Sequence, residues 1–106
     1  MMFSTKLVTR YRELKQQAPD CILLMQVGAF MQVMDEDARQ VNEFTGLKLQ
    51  LGGEVDTPII LGGFPVSGLD AYVGKLTRSG RSVAIAMQAG DKERHIGQRV
   101  MTGALA

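Results

Sequence analysis

Long apolar runs are missing from this chain, and so are cysteine and histidine beyond one of each. No stretch approaches the roughly 18 consecutive apolar residues of a membrane-crossing helix, so no span is expected. A single Cys21 excludes an internal disulfide, and with His95 as the sole histidine there is no zinc-ligand set. The amino terminus has no charged region leading into an apolar core, so no secretion signal is read and a cytoplasmic protein is expected. Neither sign of charge dominates: twelve Lys/Arg face eleven Asp/Glu, a net charge of +1. A strong, non-specific grip on a phosphate backbone calls for a more basic surface and is not expected of this piece alone. Internal repeats and low-complexity linkers are absent too. What remains is a globular composition, 45% hydrophobic and 22% charged over 106 residues, enough for one domain spanning 1–106 and too little for two.

Periodicity divides the chain into nine elements. Leu7, Val8, Tyr11 and Leu14 recur at helical spacing and predict a helix from Thr5 to Gln17, with Ser4 as N-cap and Pro19 as terminator. Cys21 to Val27 reads as a buried strand, Gly28 as a bend or bulge, and Ala29 to Met34 as a second extended piece. Asp35, Glu36 and Asp37 place three acids at the start of a second helix, where the macrodipole favours them; it runs to about Phe44, with Gly46 as its stop. Leu47, Leu49 and Leu51 alternate as a half-buried strand, Gly52 to Thr57 turn, and Pro58 to Leu61 form a short strand ended by Gly62-Gly63. Ser67 and Asp70 suggest a capping box for a third helix buried through Leu69, Tyr72, Val73 and Leu76 and closed by Gly80. Val83, Ile85 and Met87 alternate with Ala84 and Ala86 as a well-covered central strand. Gly90 to His95 read as a polar turn, and Ile96 to Thr102 as a last strand at an edge. The order α-β-β-α-β-β-α-β-β, with strands adjacent in pairs, predicts an α/β (α+β) fold: a mixed sheet of about six strands with about three helices packed on it.

Catalytic constellations do not survive inspection. Gly74-Lys75 lacks the glycine spacing and the hydroxyl of a phosphate loop and falls inside a helix, so Lys75 reads as helix surface. Glu13-Leu14-Lys15 has the acid-x-lysine spacing of a metal nuclease but lies in the first helix, where salt-linked surface is the simpler reading. His95, in the expected turn, has no partner to activate Cys21 or a serine. No enzyme is expected. The seven methionines read as core filler.

The stretch with chemical content is Met25 to Met34, MQVGAFMQVM. In an extended chain Phe30 and Gln32 point to the same side. A flat apolar wedge beside a hydrogen-bonding amide could insert between bases and also read one. A core aromatic is the alternative reading of Phe30, and plain exposed strand surface that of Gln32.

Four blocks taken together resemble a known family. YRELKQQAPD (Tyr11 to Asp20), VGAFMQVMDEDA (Val27 to Ala38), GGFPVSGLDAYVGKL (Gly62 to Leu76) and GRSVAIAMQAGD (Gly80 to Asp91) are similar, in order and spacing, to the amino-terminal mismatch-recognition domain of the MutS family. Gly63-Phe64-Pro65 looks like its Gly-Ile-Pro, and Arg99 to Gly103 resembles its closing strand. The resemblance implies a Gly-x-Phe-Tyr-Glu motif at which the phenylalanine wedges into the minor groove at a mispair and the glutamate hydrogen-bonds the stacked base. Those positions fall here on Gly28 for the bend, Phe30 for the wedge, Met31 in place of the tyrosine and Gln32 in place of the acid. Val66-Ser67 stand where the family has Tyr-His. Gln32 keeps an acceptor and adds a donor but has no charge, so the acid's repulsion from phosphates is lost and intact duplex is expected to be rejected less. Arg99 is a candidate phosphate contact, or else a charge guarding a sheet edge.

The resemblance therefore implies a module that binds mismatched double-stranded DNA without catalysis, weakly as an isolated domain. Further MutS-like domains or a homodimer partner would supply the main grip, and no membrane partner is expected. No cofactor is expected in these residues, because the family's ATP/Mg site lies in a domain absent from them. The alternative is a protein-interaction module of the same fold that has lost mismatch recognition, and a buried Phe30 would mark it. A metal nuclease is the remote third reading.

Overall fold

Residues 5–54, 56–89 and 93–100 are described in a computed structural model. The helices are α1 (Thr5–Gln17), α2 (Asp35–Thr45) and α3 (Leu69–Arg78). The strands are β1 (Ile22–Val27), β2 (Phe30–Met34), β3 (Leu49–Glu54), β4 (Thr57–Pro65), β5 (Val83–Ala89) and β6 (Glu93–Val100). They form one mixed sheet in the order β3-β4-β2-β1-β5-β6, in which β1 and β5 pair parallel and all other neighbours antiparallel. The expected element order and the mixed sheet with three helices are both present.

Alternation along each strand splits the apolar residues between two faces. On one face α1 buries Tyr11 and Leu14 against Leu23, Met25, Met34, Leu61, Ala84 and Ala86. On the other, Ala38 and Val41 of α2 and Leu76 of α3 cover Leu24, Met31, Val33, Phe64, Val83 and Ile85. Met25, Met31 and Met34 are fully buried filler, whereas Met87 is 39% exposed at the far end of β5.

Several boundaries differ from expectation. β4 runs on through Gly62-Gly63 to Pro65 instead of ending at the pair. Each glycine keeps a face flat: a Cβ on Gly62 would lie 2.8 Å from Leu47 Cδ2, and one on Gly63 would lie 2.9 Å from Gln32 Oε1. The strand continues because these positions demand no side chain. The turn before it is correspondingly shorter, since β3 extends to Glu54 and pairs with Thr57. Leu47 is buried but precedes β3, while Leu51, farther along this edge strand, is 73% exposed, so the leucine alternation is covered at one end only. The Ser67–Asp70 box does not form. Pro65 leads into a single 3₁₀ turn (Val66–Gly68) that contains Ser67, and α3 starts after Gly68 with no side-chain cap. His95 lies within β6, its backbone paired with Met87, rather than in a turn. Ser4, Thr102 and residues 90–92 of the expected 90–95 turn lie outside the described residues.

A buried polar tie fixes α1 and α2 to the sheet. The Asp37 carboxylate accepts from the Leu23 N–H at 3.0 Å and from Lys15 Nζ at 2.9 Å. The Tyr11 O–H is shared between the Leu23 carbonyl at 2.6 Å and Asp37 Oδ2 at 3.0 Å. Of the three acids at the α2 start, Asp37 thus turns inward, and Lys15 serves this tie while Glu13 pairs with Arg10 at 3.6 Å. Burial first, and the Asp37 charge second, hold the Tyr11 phenol well above its ordinary pKa.

Candidate functional site

The β1–β2 hairpin turns through Gly28-Ala29, closed by the Val27–Phe30 pair. Gly28 has φ +62° and Ala29 is not among the residues of positive φ, the pattern of a type II′ turn with glycine at its first central position. A side chain at that φ is strained, which is why this bend needs glycine. A hairpin turn, not a bulge, therefore underlies the bend.

Phe30 opens β2, is 43% exposed as a residue and belongs to neither core cluster. Among the described residues it is the one aromatic in the set of exposed large hydrophobic side chains, with Leu51 and Met87. Val27 on β1 and Pro65 on β4 flank it in register. The next residue, Met31, turns to the opposite face and is fully buried near Phe64, whose ring stacks on Tyr72 at 3.9 Å between centroids. A methionine at this position is therefore a core choice and leaves the exposed corner unchanged.

Gln32 returns to the Phe30 face, paired with Met25 on one side and Gly63 on the other. It is only 5% exposed, so it is not open strand surface. Its amide rests over Gly63, which has no Cβ to displace it. No buried side-chain nitrogen or oxygen among the described residues lacks a partner, and Gln32 lines a concavity beside Phe30. The concavity measures about 260 Å³ and is lined by Phe30, Gln32, Lys48, Leu49, Gln50 and Gly63. The corner thus joins a part-exposed aromatic residue, a largely buried amide and one ammonium group.

Lys48 and Gln50 escape sequence reasoning. The alternation of Leu47, Leu49 and Leu51 does put them on the polar face, but β3 reaches Phe30 and Gln32 only across β4, and no local signal announces that register. Arg99 is not brought to this corner. Its backbone pairs with Ala84 on edge strand β6, at the opposite end of β5 from Gln88, with β5 and β1 intervening before β2; its side chain lies outside the described residues. Glu13 and Lys15, the acid and lysine of nuclease spacing, are engaged with Arg10 and Asp37. No three His, Cys, Asp or Glu side chains among the described residues gather where they could hold a metal ion. No helix among them is long and apolar enough to cross a membrane.

The family model described as MutS domain I matches residues 5–104. The DNA mismatch repair protein MutS of Porphyromonas gingivalis is 38% identical over 91 residues, covering 85% of this chain and 10% of that protein. MutS of Flavobacterium johnsoniae is 38% identical over 88 residues, 82% of this chain and 10% of the relative. MutS of Salinibacter ruber is 36% identical over 98 residues, 91% of this chain and 11% of the relative. The chain therefore spans about a tenth of the length of the curated relatives it matches.

Proposed function

The chain belongs to the MutS family of DNA mismatch repair proteins, corresponding to their domain I, and from that premise we propose that it binds mispaired double-stranded DNA by inserting the Phe30 ring at the mispair. The single observation that carries the proposal is the part-exposed Phe30 on the same sheet face as Gln32, with both lining one concavity. Stacking an aromatic on a base contributes about 1–3 kcal/mol. Separating a base step costs a few kcal/mol, less where the pair is already broken. A mispair also bends more cheaply, so discrimination needs no base-specific code. Gln32 then offers the stacked base a donor and an acceptor. Without a carboxylate this corner repels phosphates less, and perfect duplex is tolerated better than it would be by an acid.

The exposed ring favours this reading over that of an interaction module, whose mark would be a sealed Phe30. At a net charge of +1 the domain's own grip is weak. Firm attachment then depends on partner domains or a second copy, as the family resemblance implies, and nucleotide-driven signalling belongs to a domain other than this one. The domain performs no chemistry itself.

Fluorescence anisotropy at low salt, with mismatched and perfect duplexes of one length, tests the proposal. Wild type is expected to bind the mismatched duplex more tightly. Phe30→Ala should erase that preference while leaving the unfolding free energy within about 1 kcal/mol, because the ring is partly outside the core. Equal affinities in all four combinations would remove the insertion claim.

A further inference from the structure

β1 and β5 pair backbone to backbone from Ile22↔Val83 to Met25↔Ala86, and there the parallel ladder stops. Side chains take over beyond it. The Gln88 N–H donates to Gln26 Oε1 at 2.7 Å, Gln26 Nε2 donates to the Gly28 carbonyl at 3.0 Å, and the Gly28 N–H donates to Gln88 Oε1 at 3.2 Å. Two amides from strands 62 residues apart in sequence therefore hold both backbone polar groups of Gly28. Gly28 is the loop residue at positive φ, two positions before Phe30. Packing does not hold it, since a Cβ there would meet nothing within 4 Å. The Ala29 carbonyl accepts from the Val66 N–H at 2.9 Å, which ties the second loop residue to the chain just after β4. The Gly28 peptide is the part held by the two amides, and without them it would sample several conformations and shift the Phe30 ring with it.

We propose that Gln26 and Gln88 are positioning residues for the wedge: their amides clamp the Gly28 turn so that Phe30 is presented at one fixed angle, and mismatch discrimination depends on that clamp. The inference rests on the reading of Phe30 as the DNA-inserting residue. A rigid wedge enters a base step without first losing loop freedom, so the clamp raises affinity where stacking occurs and leaves backbone contact alone. A role in sheet stability alone would instead change both duplexes alike.

Gln88→Met and Gln26→Met keep side-chain length and remove the amide. The test is amide hydrogen exchange of the full chain, with duplex anisotropy on the same samples. In each variant Gly28 exchange is expected to accelerate about tenfold while Leu23 and Leu24, deep in β1, stay protected as in wild type. Mismatched-duplex affinity should fall about five- to tenfold with perfect-duplex affinity unchanged. Gln88→Glu, whose carboxylate still accepts from the Gly28 N–H, should restore slow Gly28 exchange. Unchanged Gly28 exchange in both methionine variants, or faster exchange with an unaltered ratio between duplexes, overturns the proposal. If wild type itself binds both duplexes equally, the Phe30 reading fails and the functional half of this proposal falls with it; Gly28 exchange then still decides whether the clamp exists.

Discussion

At the residue scale the corner depends on which side chains are spared from packing. Phe30 and Met31 are adjacent and both apolar, yet one is 43% exposed and the other fully buried, because Met31 faces the helix pair under one side of β2 while Phe30, on the other side, joins neither core cluster of described residues. Gln32 is the sharper case. Its burial is possible because Gly63 leaves room for the amide, so residues far apart in sequence set the environment of the proposed base-contacting group. We expect Gln32→Glu to lower affinity for perfect duplex more than for mismatched duplex. The new charge would face phosphates in both but gain a donor only where a base is unpaired. Parallel titrations of the two duplexes measure this, and an unchanged ratio contradicts it. The Phe30–Gln32 pairing was legible in sequence, because a period of two is a local property. Lys48 was not, because its place beside them depends on the order of β2, β4 and β3.

At the element scale the sequence carried most of the architecture. The α1 limits, the paired strands and the glycine stop of α2 follow from spacing, and Gly46 does take the left-handed conformation, its N–H donating to the Asn42 carbonyl at 2.8 Å. What misled were residues with two meanings. Gly62-Gly63 reads as punctuation but serves close approach inside β4, and the polar run before Ile96 reads as a turn but includes paired β6 backbone. The Asp37 tie was hidden for another reason: its acid looks like an ordinary helix-start charge until Tyr11, Lys15 and Leu23 converge on it. Tyr11→Phe is expected to cost about 1 kcal/mol at neutral pH through the lost hydrogen bonds. The folded phenol titrates above the unfolded one, so its contribution is complete below pH about 10 and declines as pH rises further. Denaturant unfolding of wild type and variant should therefore give stabilities that converge above that pH. A gap that stays constant would detach Tyr11 from the tie.

At the scale of the whole molecule, near-neutral charge and, among the described residues, one exposed aromatic corner fit the proposed role of a probe better than that of a clamp. Lys48 is the ammonium group in the Phe30 concavity, and under the proposed insertion it would meet a phosphate next to the ring. Lys48→Gln should weaken binding to both duplexes alike and reduce the slope of log affinity against log salt by about 1, read from titrations at several salt concentrations. An unchanged slope would move the phosphate contact elsewhere. In the proposed mode the Phe30 ring enters the base stack, and its ring protons report on that directly. In NMR spectra of the chain with a mismatched duplex, Phe30 ring resonances are expected to move upfield under the ring currents of the flanking bases. With a perfect duplex of the same length they should stay near their free positions. Phe30 resonances that remain unmoved while other residues register mismatched DNA, or that move equally with both duplexes, would contradict it.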